Sequence, residues 1–276
     1  VELRPGETQR VQFAVDRGTN LEANCYPVEI RAVSSSPACE VVYRQNVRCA
    51  SAPFFKPTID GDPAEWKDAI PVRFVTKGKQ TSVSTYWNRQ QFCLLVGVEE
   101  DRFVGYRASP GPNGFDAVQV AISPQGSKTG SLPTDAAARY EFLFVWSGVG
   151  TAGRCFQLAR PDTKLADTQQ DRTLAPLAYE QALVAVSRKD RTTYYECAIP
   201  FAPMRQDIRP SEGREFHLSL LVHDPDGTGL RDLGEAVGLW PSQRNRLAWS
   251  RWQGAIWGVE PPLDNKLEWG LCASKY

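Results

Sequence analysis

Apolar and polar residues alternate in short runs along most of the chain, with Gly, Pro, Asn and Asp between the runs. TQRVQFAV (8–15), YPVEIRAV (26–33) and CEVVYRQNV (39–47) read as three strands near the N-terminus. SVSTYW, QFCLLVGVEE, DAVQVAIS, YEFLFVW, FQLAR, ALVAVSR, TTYYECAIPF and FHLSLLVHD follow with the same character. Sustained helical periodicity is scarce. The pattern predicts an all-β protein, an antiparallel β-sandwich with layers of immunoglobulin or jelly-roll type. One stretch departs from it: DPAEWKDAI, Asp62 to Ile70, has an acidic first turn and predicts a short helix.

A boundary is expected at FFKPTIDG, Phe54 to Gly61, where two prolines and a lysine interrupt the strands. This gives a partial immunoglobulin-like β segment over residues 1–55 and a larger β-sandwich over residues 56–276. The first segment is too short for a complete immunoglobulin-like sandwich of about 100 residues. Its missing strands lie upstream, or it packs on the larger module. The chain opens on VELRPGETQR, which reads as the interior of something longer, so a mature or truncated fragment is expected.

Composition narrows the partners. The 276 residues carry 32 Lys+Arg and 32 Asp+Glu, a formal net charge of zero, which argues against nucleic acid or an anionic membrane as the main partner. No run of eighteen apolar residues is present, so no helical membrane span is expected. The seven cysteines form no C-x-x-C pair, and Cys93 and Cys197 lie in strand-like runs where buried free thiols are expected. Cys25, Cys39 and Cys49 cluster more tightly, leaving a disulfide among them open.

Several stretches, taken in order, resemble family 9 carbohydrate-binding modules and the wider DOMON-like sandwich superfamily. PTIDGDPAEWKDAIPVRF (57–74) is similar to the family's opening, in which an extended IDG leads to a Trp and a short helical turn. TYWNRQQFCLLVGVEED (85–101) resembles a strand pair that begins W-D, with Asn88 in place of Asp. GFDAVQVAIS (114–123) resembles a D-S-V-E strand, with Gln119 in place of Glu. YYECAIPFAPM (194–204) resembles an E-x-A-I-P strand, and FHLSLLVHDPDGTG (216–229) a strand and hairpin ending V-x-D-x-D. Trp240 stands at the family's late Trp, and LEWGLCAS resembles its final strand. The resemblance covers residues 57 to 276. It implies a non-catalytic module that binds an oligo- or polysaccharide, joined to neighbouring domains of a larger protein, extracellular, at the cell surface or periplasmic. The same sandwich also serves proteins without a sugar site, so a structural or adhesive spacer, or a protein-interaction domain, is the alternative.

The stretch GLWPSQRNRLAWSRWQGAIWG (238–258) holds Trp240, Trp249, Trp252 and Trp257 amid polar residues. Their intervals match neither a strand nor a helix, so no single regular element buries all four. An indole covers the apolar C–H face of a pyranose, while amides, guanidinium groups and carboxylates pair with its hydroxyl rim. Modules of the resembled family sandwich a sugar between two aromatic rings. The late ring maps onto Trp249, with Trp252 as its rival. The earlier ring maps near Asn113, with Phe115 two residues on as the substitute. Gln119, at the family's polar contact, together with Trp240 and Arg251, completes the expected ligand-binding set. An aromatic mini-core and a protein–protein interface are the competing readings.

DPDGTGLRDLGE (224–235) places oxygens from Asp224, Asp226, Thr228, Asp232 and Glu235 at positions one, three, five, nine and twelve, with Gly229 at six. Structural calcium is therefore the candidate cofactor, and a plain acidic hairpin turn the competing reading. Relatives also carry structural calcium near the acidic end of the second strand, which here implies Glu100 or Asp101. Catalysis is not expected. No G-x-S-x-G, H-E-x-x-H or Walker motif occurs, and no pair of carboxylates is singled out by spacing. Haem ligation would require Met204, the only methionine.

Overall fold

The computed structural model describes residues 7, 25–35, 38–48, 50–52, 54–69, 71–107, 114–124, 140–161, 170–171, 174–208, 215–233, 246–247, 256–257, 259–260 and 271–274. The protein is all-β. Among these residues, no helix is long and apolar enough to cross a membrane. The N-terminal strand-like run 8–15 lies outside them.

β1 (Cys25–Ser35) and β2 (Ala38–Arg48) form an antiparallel ribbon in unbroken register from Cys25↔Arg48 to Ser35↔Ala38. Alternation gives the ribbon two unlike faces. Val28, Ile30, Val41 and Tyr43 share one face, and all four are exposed. Glu29, Arg31, Glu40 and Arg44 share the other and pair across the strands, with Arg44 Nε 2.7 Å from Glu29 Oε2.

The main sheet is one ladder that curls on itself. Its strands are β3 (Ala50–Ala52), β4 (Val72–Thr76), β5 (Lys79–Trp87), β6 (Gln91–Glu99), β7 (Ala117–Pro124), β8 (Tyr140–Val149) and β9 (Ala152–Ala159). Two-residue β10 (Gln170–Asp171) stands apart from them and pairs with β16 (Ile256–Trp257). β11 (Leu183–Lys189), β12 (Thr192–Pro200), β13 (Glu215–Asp224) and β14 (Gly229–Asp232) continue the main sheet. β15 (Arg246–Leu247) pairs with β17 (Val259–Glu260), and β18 (Leu271–Ser274) returns to the main sheet. The spatial order is β3-β18-β13-β7-β8-β9-β11-β12-β6-β5-β4, with β14 on β13. β9 and β11 meet at one Cα pair, Ala152 and Ala185, the shortest register in the ladder.

Inward positions of both layers fill one core. β6 gives Phe92, Leu94, Val96 and Val98; β8 gives Tyr140, Phe142 and Phe144. Burying a Phe or Leu side chain contributes about 1.5–3 kcal/mol, so these fully buried residues dominate the stability of the sandwich. β7, β8 and β9 are buried on both faces. Their outer face carries a second cluster of Phe115, Ala117, Leu143, Val145, Phe156 and Leu158, against which Val104, Tyr106 and Leu177 pack. YEFLFVW is therefore apolar at nearly every position rather than alternating.

Two details differ from the sequence reading, and a third bears on the expected boundary. The helix expected over 62–70 is a single 3-10 turn, Pro63–Trp66, capped by the Asp62 side chain on the Ala64 N–H at 3.1 Å. Trp66 is drawn inward to stack on Tyr86 at 4.8 Å. The other two concern strands. β4 was not anticipated, because VRFVT follows a proline-rich turn. β3 falls before the boundary expected at residue 55, yet it joins the large sheet by pairing in parallel with β18. The Phe55 N–H also donates to Trp87 O at 2.9 Å, so the chain around that boundary is stitched to the sandwich.

Cys93, Cys155 and Cys197 are buried free thiols, and Cys39 is a free, exposed one. Burial pushes the Cys93 thiol up to about 12, which leaves it unreactive.

Candidate functional site

Glu196, in the E-x-A-I-P strand, is buried and reaches the IDG turn. One of its oxygens accepts from the Asp60 N–H at 3.0 Å and the Gly61 N–H at 2.7 Å; the other accepts from Trp66 Nε1 at 2.6 Å. Gly61 has φ +92 and sits against Thr151 and Ser187, a conformation and a space that a side chain would not share. Asn88, standing where the resembled family has Asp, does what an Asp would do. Its Oδ1 accepts from the Gln90 and Gln91 N–H groups and closes the β5–β6 turn.

Of the expected sugar-binding residues, Asn113, Trp240, Trp249, Arg251 and Trp252 lie outside the described residues. Phe115 and Gln119 are described, and each is 2% exposed. Phe115 packs edge-on against Tyr106, with centroids 5.1 Å apart. Gln119 sits on the outer face of β7 in a polar row. Its Nε2 donates to Glu141 Oε2 at 3.1 Å, and its Oε1 faces His223 Nε2 at 3.1 Å. Glu141 accepts the amide N–H, so the amide oxygen is left for His223, whose Nε2 must then carry the proton. Glu141 and His223 were not singled out as a pair with Gln119. The available signal was a lone polar residue inside each apolar run, YEFLFVW and LLVHDP.

Burial lowers the His223 pKa from 6.5 to about 4. A His with a depressed folded-state value stabilises the fold fully above pH 6.5, and that stability is lost as the pH falls towards 4. The shift corresponds to about 3 kcal/mol. Acid unfolding curves should therefore steepen between these pH values, and His223→Asn should flatten that segment. An unchanged curve in the variant would rule out His223 as the cause.

The metal loop expected over 224–235 does not assemble. β13 and β14 make it a tight hairpin. Asp224 Oδ2 accepts from the Thr228 N–H at 2.8 Å, Thr228 Oγ1 at 2.7 Å and Arg231 Nη2 at 2.7 Å. Asp226 turns to Arg102 at 3.4 Å, and Asp232 lies in the β14 ladder opposite Leu221. Glu235 lies outside the described residues. The spacing matched an EF-hand loop, but strand flanks splay its oxygens instead of wrapping them around a centre.

Asp224 instead joins two distant acids. Among the described residues, Glu100, Asp116 and Asp224 are the one group of three acid, His or Cys side chains whose ligand atoms lie within 4.8 Å of one another. All three are at most 2% exposed. Glu100 Oε1 accepts from Arg188 Nη1 at 3.1 Å and from Thr193 Oγ1; Asp116 Oδ2 accepts from the Val104 N–H. Glu100 Oε2 and Asp116 Oδ1 are buried with no partner.

Burial pushes Glu100 up to about 7, against the pull of Thr193 and Arg188. Burial, with the Glu100 charge beside it, pushes Asp116 up to about 8. Burial also acts upward on Asp224, but the Thr228 N–H and the Arg231 guanidinium outweigh it and hold its pKa below the usual value. Of the two acids expected near the end of β6, Glu100 joins this cluster. Asp101 is exposed and already holds Lys79 at 2.7 Å as well as Arg191. Hard carboxylate oxygens with buried, unanswered lone pairs are the donor set of a calcium-class ion.

No protein-family model matches the sequence. No curated protein matches it. Among solved structures, the chain is similar to a carbohydrate binding module of family 9 from Caldicellulosiruptor kristjanssonii in complex with cellotriose. The identity is 12%, over 83% of this chain and 94% of that chain, with a TM-score of 0.48. A module of that family from the same organism, in complex with glucose, is 12% identical over 64% of this chain and 78% of that chain, with a TM-score of 0.43. The sandwich itself is established by the chain's own strand ladder.

Proposed function

We propose that this chain binds an oligo- or polysaccharide without catalysis, as a secreted or surface module of a larger protein. The observation that carries the reading is the interlocking of its ordered motifs: the IDG turn and Trp66 are held by the Glu196 carboxylate from a strand more than a hundred residues away. Gln119 and Glu141 are buried and pair with each other and, through Gln119, with His223, so this polar row adds no hydroxyl partner to this reading. Trp249 and Trp252 are the proposed stacking rings, and Trp240, Arg251, Asn113 and Phe115 their supports.

Isothermal titration of the full chain with glucose, cello-, xylo- and manno-oligosaccharides tests the reading. At least one should bind, and Trp249→Ala should weaken it about tenfold or more, the loss expected when a stacking ring is truncated. No heat from any sugar removes the proposal. The second reading, a spacer or protein-interaction domain, is favoured by the exposed apolar face of the β1–β2 ribbon, where Val41 is 62% and Tyr43 43% exposed.

A further inference from the structure

Among the described residues β1 and β2 pair with each other and with no other strand, so each keeps an outer edge. A two-stranded hairpin is marginal by itself in water, and further strands are what make such a ribbon stable. The two edges are not alike. β1 carries Pro27, which has no N–H to give, and proline is a common guard of a sheet edge. β2, ACEVVYRQNVR, has no proline, glycine or lysine in its 11 residues. Its edge is an unguarded row of amides and carbonyls.

The order of residues along β2 says what fits there. In Glu40-Val41-Val42-Tyr43-Arg44 two charges of opposite sign stand at equal distances from Val42. Lay a second copy of the strand alongside, antiparallel, with a two-fold axis at Val42. Glu40 then faces Arg44 of the second copy, and Arg44 faces its Glu40. Val41 and Tyr43 face Tyr43 and Val41 of the second copy, β-branched–aromatic pairs of the kind that hold neighbouring strands together. The faces agree as well, since Glu40 and Arg44 share the charged face of the ribbon and Val41 and Tyr43 the apolar one. A slip of one residue would turn the apolar face of one copy towards the charged face of the other. A slip of two would set Glu40 against Val42 or Asn46 and leave the charges unmatched. Glu40 and Arg44 are both exposed. Glu40 accepts from Arg31 at a long 3.4 Å, and Arg44 gives its Nε to Glu29 at 2.7 Å, so the tip of its fork can meet a carboxylate opposite.

We propose that β2 is a self-association edge: a second copy of this chain pairs with it, antiparallel about Val42, so that two ribbons make one four-stranded sheet. The arrangement is closed, because each copy uses the same edge and the pair stops at two. The charges choose the register, while the backbone ladder and the Val41–Tyr43 pairs supply the hold. The contact is small beside a standard interface of about 1,600 Å², which puts the association in the micromolar range. It is independent of any sugar.

Sedimentation velocity on the full chain, from about 1 to 300 µM so as to bracket such an affinity, should show a monomer–dimer equilibrium. Glu40→Arg places like charges opposite each other at both ends of the pairing, and so does Arg44→Glu. Each variant alone should dimerise about tenfold more weakly or worse. Mixed in equal amounts the two variants should regain most of the parent's affinity, because each then offers the other the opposite sign at both positions. Both side chains are exposed, so neither substitution disturbs the core. A parent that stays monomeric throughout this range overturns the proposal. So does a dimer indifferent to both variants, which would lie elsewhere on the molecule. A mixture that associates no better than its components overturns the register about Val42.

Discussion

Arg231→Met is expected to lower the unfolding free energy of the chelator-treated protein by about 3–5 kcal/mol, the usual loss when one member of a buried ion pair is removed. Arg231 is fully buried, and it ties the β13–β14 hairpin to β5 and β6. Its Nε donates to Thr228 Oγ1 at 2.7 Å, Nη1 to Thr81 Oγ1 at 3.2 Å, and Nη2 to Glu99 O at 2.8 Å and Asp224 Oδ2 at 2.7 Å. Methionine fills much of the volume but answers none of these acceptors. Asp224 would then be a buried charge without its cation, beside two further carboxylates. Urea unfolding in EGTA measures the loss, with an unchanged slope showing that the unfolded state is not the cause. Adding Asp224→Leu to Arg231→Met should recover part of it, because removing both charges is less costly than stranding one. A loss below about 1 kcal/mol, the range of exposed pairs, would mean that the guanidinium is not desolvated as the structure has it.

The second large effect is at Glu196. Glu196→Leu should cost about 3–5 kcal/mol, since a residue that strands several buried donors belongs to the small class of severe substitutions. Three N–H groups converge on this carboxylate, from Asp60, Gly61 and Trp66. Glu196→Gln should cost about half as much, because its one acceptor oxygen still satisfies part of the set. The Trp66 indole reports the event directly. Its stacking on Tyr86 depends on the Nε1 bond, so tryptophan emission should shift to the red in the Leu variant before global unfolding. Unchanged emission and a Tm within a degree of the parent would remove Glu196 from this role.

Strand existence was legible in VSTYW and FCLLVGV because short apolar runs rich in β-branched and aromatic residues, bounded by turn residues, mark strands even where, as in β6, nearly every position is buried. β14 was not, since GLRD carries no apolar alternation and pairs through its backbone at the end of β13. The Glu196 lock was half legible. The motif order announced that IDG, Trp66 and the E-x-A-I-P strand belong together, but only the folded chain shows one carboxylate binding all three. The acid cluster was illegible as a set. Glu100 follows β6, Asp116 precedes β7 and Asp224 ends β13, and spacing along the chain carries no information about residues brought together by a curled sheet. Spacing in fact pointed elsewhere, to 224–235, where a contiguous run satisfied a loop template that its flanking strands do not support. Arg231 was misleading for a related reason. Nothing in LRDLGE marks its arginine as buried, and its partners on strands β5 and β6 lie more than a hundred and thirty residues earlier.

The parallel partnership of Ala50–Ala52 with β18 bears on how the molecule is cut for study. A fragment beginning at residue 56 would strip the cover from one side of Leu271–Ser274 and present a bare row of amides and carbonyls to any neighbour. Such an uncovered margin invites chain-to-chain stacking, so insolubility of that fragment would reflect where the scissors fell rather than a weakness of the sandwich. Expression clones for the larger unit are better started upstream of Ala50.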